Sequence, residues 1–486
     1  MRGLRPRAAR RRRGVAFVAL TLTLALTGCR VGPDGTIVRF ESGLNAGWIH
    51  AEPASEVPPA ADLSVWWEGF GDPTLTALVR RALAGNLDLA AARERVIAAR
   101  AARGVTNADR LPALDAEGSY GYAETGEEAI SFNGAPPGVE AEVYALGVVA
   151  GWELDLWGRV ARLVEAADAE IAFAVEDFRA LRVSLAASVA REVLTVRALD
   201  AELAVVEAGI AADRDVLSIA EARASAGFSD ALDAARAQRV LAADLAELPA
   251  LRGDRIAALL RLSALLGEAP GSVEVPSRGL PPGQRPAYFG VAGPVPDAGV
   301  PAGLLLRRPE VRRAAARVDA DTARIGAAVT ERYPRVSLSG SLVLQGPELG
   351  DVTDFDARVL RVGPQVALPL FQGGRITAGI ERARARQRES VALLRRAVLE
   401  AQSEVETAAA RRFRSAERVS RLAEAVTAAQ DTEDLARDRY TAGASDFLSV
   451  TEAVTTRLAI ERRRVTAERE TLLRLVDLYA ALGGGW

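Results

Sequence analysis

Tyr144-Ala145-Leu146-Gly147-Val148-Val149-Ala150-Gly151-Trp152-Glu153-Leu154 is the stretch that decides the fold class of this chain. Read in steps of two, Tyr144, Leu146, Val148, Ala150, Trp152 and Leu154 share one face, and Gly147, Gly151, Glu153 and the following Asp155 share the other. A period of two belongs to a strand. A strand of about ten residues with one apolar face and one polar or tiny face is the unit of a membrane β-barrel wall. Three more segments repeat the pattern. Leu114, Ala116, Tyr120 and Tyr122 alternate with Asp115, Glu117 and Ser119, and Val336, Leu338, Leu342 and Leu344 alternate with Ser337, Ser339 and Ser341. Leu360, Val362, Val366, Leu368 and Leu370 mark the last. Strands are therefore expected at about 112–124, 142–156, 334–346 and 358–371, apolar side outward. Periodicity alone also fits the edge of a soluble sandwich, and Pro364 and Pro369 count against a central position for the last strand.

The flanking sequence reads as very long helix. Val160 to Ala226 holds no proline and one glycine, Gly209, and Arg375 to Ala442 holds no proline and one glycine, Gly379. At 1.5 Å per residue each would reach roughly 100 Å. Val391, Val398 and Val405 recur every seven residues with Leu394, Ala401 and Ala408 three places on, a heptad seam half filled by small side chains. An antiparallel coiled coil without a channel explains these helices equally well. The strands carry the distinction.

The chain also repeats itself. Ser225-Ala226-Gly227-Phe228-Ser229-Asp230-Ala231-Leu232 returns 216 residues later as Thr441-Ala442-Gly443-Ala444-Ser445-Asp446-Phe447-Leu448. Leu154-Asp155-Leu156-Trp157-Gly158-Arg159 is echoed by Leu368-Pro369-Leu370-Phe371-Gln372-Gly373-Gly374-Arg375, and Arg110-Leu111-Pro112 by Arg332-Tyr333-Pro334. Matched punctuation in one order at nearly one offset points to a tandem duplication. The expected division is a signal peptide at 1–28, a tether at 29–65, one repeat at 66–268, a Pro-rich linker at 269–302, a second repeat at 303–482 and a tail at 483–486.

The N-terminus carries seven arginines and no acid before a thirteen-residue weakly polar run, Val15 to Thr27, that ends in Leu26-Thr27-Gly28-Cys29. That is the build of a secretory signal peptide, and the run is shorter than the roughly 20 residues of a spanning helix. Removing it would take the seven arginines and move the formal net charge from −3 to −10. An acidic chain without lysine lacks the basic footprint of a nucleic-acid binder. One Cys (Cys29), one Met and one His (His50) leave no intrachain disulfide and no ligand set for a transition metal. No convergent polar constellation suggests catalytic residues or a cofactor.

These residues together resemble a family. Leu26-Thr27-Gly28-Cys29 is similar to a bacterial lipobox, which makes Cys29 the candidate lipidation site. Cys29-Arg30-Val31-Gly32-Pro33-Asp34, Trp66-Trp67 with Phe70-Gly71-Asp72-Pro73-Thr74-Leu75, and Asn86-Leu87-Asp88-Leu89 follow. Next come Trp152 to Arg159, Leu304-Leu305-Leu306-Arg307-Arg308-Pro309-Glu310-Val311, and Leu370-Phe371-Gln372-Gly373-Gly374-Arg375. In this order, over nearly the whole chain after Cys29, they resemble the TolC-type outer membrane efflux proteins, in the OprM/NodT-like lipoprotein branch that serves resistance-nodulation-division (RND) pumps. Thr27, Gly35 and Trp157 depart from the usual pattern.

The resemblance implies a mainly α protein with a membrane β-barrel. Three chains of four strands would close a twelve-stranded barrel above a periplasmic α-helical barrel. It implies a homotrimer, outer-membrane lipid around it, a periplasmic adaptor protein and an inner-membrane RND transporter as partners, and no enzyme activity. Gly158, Arg159, Gly373, Gly374 and Arg375 would form strand-to-helix turns. Gly227, Ser229, Asp230, Gly443, Ser445 and Asp446 would lie at the periplasmic tip, glycine ending one helix and Ser or Asp capping the next. An exit for protein secretion and a non-porous coiled-coil lipoprotein remain the alternatives.

Overall fold

In the computed structural model the described residues are 31–34, 63–124, 140–227, 230–277 and 307–484. Cys29, His50, Ser229, most of the expected tether and linker, and the Gly-Ala-Pro-Pro-Gly run at 134–138 lie outside them.

Each half builds one series of elements. The first has α1 (Pro73–Gly85), α2 (Leu87–Ala108), β1 (Ala113–Glu124), β2 (Glu140–Leu154), α3 (Arg159–Ser225) and α4 (Ala231–Leu266). The second has α5 (Pro309–Thr330), β3 (Arg335–Gly346), β4 (Arg358–Ala367), α6 (Arg375–Thr441) and α7 (Phe447–Ala481). Helices α2 and α5 both have 22 residues, α3 and α6 both 67, and α4 and α7 36 and 35. The same lengths in the same order make each half a copy of one plan.

The four strands form one antiparallel sheet in the order β1-β2-β3-β4. Strand β4 stops at Ala367, four residues short of the 371 expected from alternation. Pro369 and the paired Gly373 and Gly374 that follow cannot continue a ladder. Pro364 does lie within β4, opposite Leu338, on the strand that ends the sheet among the described residues.

By contact the chain divides into two compact units. One holds the described residues of Met1–Arg39, Val96–Ala174 and Ala314–Leu394, which include the sheet, and the other those of Phe40–Arg95, Val175–Arg313 and Arg395–Trp486. In the second unit Trp66, Trp67, Phe70 and α1 pack on α3, α4 and α7 through Val189, Val193, Leu262, Leu475 and Tyr479. The Trp66 ring stacks on Tyr479 at 5.1 Å. On α6 most of the heptad seam is inward: Leu394, Val398, Ala401, Val405 and Ala408 are buried, and Val391 is half-buried.

The sequence motifs are the joints of this core. Asp72 caps α1 by accepting from the Thr74 and Leu75 amides at 2.9 and 3.3 Å, just before Pro73 opens the helix. Asn86 accepts from the Leu89 amide and donates to the Leu265 carbonyl at 2.8 Å, joining the start of α2 to the end of α4. Arg308 donates to Glu404 at 2.6 Å and to the Ala401 carbonyl, so the residue before α5 is tied to α6.

Candidate functional site

Directly opposed residues of an antiparallel ladder point to the same face. One rank across the sheet is Ala116, Val148, Leu342 and Leu360, and another is Leu114, Ala150, Gly340 and Val362. The ranks between them are Asp115, Val149, Ser341 and Arg361, and further down Glu153, Ser337 and Gln365. The sheet thus has one apolar face and one largely polar face. Leu114, Leu360, Val362 and Val366 on the apolar face are each 67–70% exposed, so no described element of the chain covers it. No helix among the described residues is long and apolar enough to cross a membrane.

Aromatic side chains bracket the apolar face. At one end Tyr120 and Tyr144 lie opposite each other with ring centroids 4.9 Å apart, and Tyr122 stands beyond them. Towards the other end Trp152 donates its indole N–H to the Arg110 carbonyl at 2.9 Å. Tyr144 and Trp152 are eight residues apart on β2, roughly 27 Å along a strand at 3.4 Å per residue. Tilted by about 40°, that span rises roughly 21 Å, somewhat less than the apolar band of roughly 25 Å that aromatic girdles flank in an outer-membrane barrel.

The strand-to-helix turns follow. Gly158 takes φ 77° and Gly373 and Gly374 take φ 55° and 83°, the left-handed region that glycine enters without steric cost. Asp155 accepts from the Val160 and Ala161 amides at 3.0 and 2.7 Å and so caps α3. Arg159 holds Glu153 in a two-bond fork, both at 2.8 Å. In the second half the corresponding Arg375 donates to the neutral Gln372 side chain.

At the far ends of α3 and α6, Gly227 and Gly443 take φ 78° and 74°. Asp230 accepts from the Leu232 amide and starts α4; Asp446 accepts from the Ser449 amide at 3.0 Å and starts α7. The Ser449 hydroxyl also donates to Asp446, and these bonds hold that carboxyl below its ordinary range. Ser445 donates weakly to the Asp446 carbonyl. The two turns are neighbours, because Arg223 donates to the Tyr440 carbonyl at 3.2 Å and lies 4.5 Å over the Tyr440 ring.

Against known proteins, the family model described as outer membrane efflux protein matches residues 78–268 and again 300–484. The chain belongs to the outer membrane efflux protein family. It is 30% identical to the pyoverdine export outer membrane protein OpmQ of Pseudomonas aeruginosa, over 98% of this chain and 97% of that one. It is also 30% identical to the outer membrane protein OprJ of the same species, over 96% and 95%. Among solved structures the outer-membrane channel OprN superposes with a TM-score of 0.83 at 31% identity, covering 94% of this chain and all of that one. The fold is that of the TolC-like channels, and the protein is an outer membrane channel of the efflux type.

In this efflux protein one buried carboxyl, facing a half-buried one, carries no signal in the sequence. Asp213 of α3 is 4% exposed and faces Asp244 of α4, with Glu433 of α6 and Arg457 of α7 nearby. Burial, then the Asp244 charge, pushes the Asp213 carboxyl up to about 6. A folded-state value above the ordinary one means that Asp213 supports the fold when protonated, and that this support is lost as pH rises through about 6. The Asp213→Asn variant is therefore expected to gain stability over the parent as pH goes from 5 to 7.5, by roughly 1 kcal/mol across that window. Thermal unfolding in detergent at both pH values checks this; a difference between variant and parent that does not change with pH would contradict it.

Proposed function

We propose that this chain is the outer-membrane duct of a tripartite efflux system. Three copies close a twelve-stranded barrel in the membrane and continue as a helical barrel into the periplasm. Small exported compounds pass through, handed on by a periplasmic adaptor from an inner-membrane RND transporter. A duct of this kind positions no nucleophile and holds no cofactor, and its work is conduction rather than catalysis. Cys29 is its acylated first residue, and residues 1–28 are removed.

The observation that carries the reading is the open sheet. Among the described residues its apolar face is uncovered and the outer edges of β1 and β4 have no partner. Unpaired backbone N–H and C=O groups cost several kcal/mol each in lipid, so such a sheet spans a membrane only when its edges are closed. Other copies of the same chain supply matching edges. On three chains Asp230 and Asp446 place a ring of carboxylates at the mouth formed by the helix turns, which favours cations.

Light scattering of the protein in mild detergent, with chemical crosslinking of cells, tests the assembly. A trimer is expected. A stable monomer or dimer in the membrane would contradict the closure argument.

A further inference from the structure

Val31-Gly32-Pro33-Asp34 follows Cys29 after the single residue Arg30, and nothing in the conduction of solutes gives it a task. In the unit that holds the sheet it is seated on a built site. Arg162, in the first turn of α3, is 1% exposed. Its Nε donates to the Val31 carbonyl at 3.2 Å, and its Nη2 donates to the Gly32 carbonyl at 3.3 Å and to Asp34 at 2.9 Å. The remaining Nη1 donates to Glu165 at 2.9 Å. The Val31 amide donates to the Trp157 carbonyl at 3.3 Å.

Close approach is permitted by two glycines. Gly32 takes φ 106°, and a Cβ there would lie 2.4 Å from the Cα of Gly326 in α5. A Cβ on Gly326 would in turn lie 2.9 Å from the Arg162 side chain. Two segments far apart in sequence, Trp157–Arg162 and the α5 stretch at Gly326, thus converge on four residues of tether.

We propose that Arg162, Gly326 and the Trp157 carbonyl form a docking site for the chain's own Val31–Asp34 segment, and that this site fixes where the acylated Cys29 enters the membrane. The second clause rests on the lipoprotein reading of Cys29; the docking does not. Two peptide units separate Cys29 from Val31, so their Cα atoms lie within about 7.6 Å. Trp157 follows β2 at the Trp152 end of the sheet, stacks on Tyr333 at 5.0 Å and donates to the Pro334 carbonyl. The lipid is therefore held at the level where barrel wall turns into helix.

The contacts also explain why the residue is arginine. A rigid fork serves two carbonyls and a carboxylate at once, which a lysine ammonium does not. Without the segment the guanidinium would lose both carbonyls and Asp34 and keep Glu165 of these four partners. Asp34 is itself 94% exposed in its side chain, so the two carbonyls contribute more to the seat than that ion pair.

Trypsin cleavage after Arg30, read by mass on the full chain in detergent, reports docking, because a protease must draw an extended chain on both sides of the bond into its cleft. Rates are taken relative to free peptides of the same sequence. In the parent and in Cys29→Ser the bond is expected to be cut at least about tenfold more slowly than in Gly32→Val or Arg162→Met. Gly32→Val alters only the tether, so it decides the matter even if Arg162→Met does not fold. Equal rates in parent and Gly32→Val, or protection that vanishes in Cys29→Ser, would overturn the docking site. An unacylated N-terminus by intact mass, with protection retained, would sink the lipoprotein reading and leave the site standing.

Discussion

Leu342→Arg is expected to abolish insertion into the outer membrane, whereas Ser341→Arg, its neighbour, is expected to leave an assembled, inserted trimer. Leu342 shares the apolar rank with Ala116, Val148 and Leu360, and Ser341 shares the polar rank with Asp115 and Arg361. A guanidinium on the lipid face near the membrane midplane costs about 2–4 kcal/mol, and a trimer would bear that cost three times. On the other face an arginine already stands in the same rank at position 361 and is exposed. Because the two positions are adjacent, differences in synthesis or export cancel. Membrane fractionation and the mobility of the undenatured trimer read the outcome. Equal insertion of both variants would show that the two faces have been assigned wrongly.

Arg197→Met is expected to destabilise the second unit by about 3–5 kcal/mol, the range for removing one partner of a buried ion pair. Arg197 and Asp72 are 9% and 6% exposed, and the guanidinium donates to both carboxylate oxygens, at 3.1 and 3.5 Å. It also donates to the Pro276 carbonyl. Loss of the arginine leaves a buried carboxylate that still caps α1, at the point where α1 and the Trp66–Phe70 stretch join the core. Adding Asp72→Asn to Arg197→Met is expected to cost less than the two single changes combined, because the amide carries no charge to strand. Unfolding of the detergent-solubilised protein measures both. A loss below about 1 kcal/mol for Arg197→Met would mean that water reaches Asp72.

Much of this is legible in the amino-acid sequence. Strand and helix differ in period, and the long helices show themselves by what they lack: α3 and α6 each run 67 residues with a single glycine inside. Asp230 and Asp446 were readable as caps because a cap is local, two or three residues from the amides it serves. The end of β4 was misjudged because Leu368 and Leu370 continue the alternation, while Pro369 and the glycine pair stop the ladder. What stayed hidden depends on contacts between distant segments. Asp213 and Asp244 stand on two different helices as ordinary surface-type residues. Arg162 meets Asp34 across 128 positions, and nothing in the spacing of either announces the other. The motifs that contained Asp72, Asn86, Asp155 and Arg308 signalled that those positions mattered, and the structure supplies the reason in caps and buried pairs.

The central claim is that the assembled protein is a water-filled duct, and ion conductance across a planar bilayer tests it most directly. Purified trimer is expected to give discrete, cation-selective steps, and the Asp230→Ala/Asp446→Ala double variant is expected to lose part of that selectivity while each single change costs only about 1 kcal/mol of cap stability. A trimer that inserts into the bilayer yet gives no steps above the protein-free membrane would contradict the account.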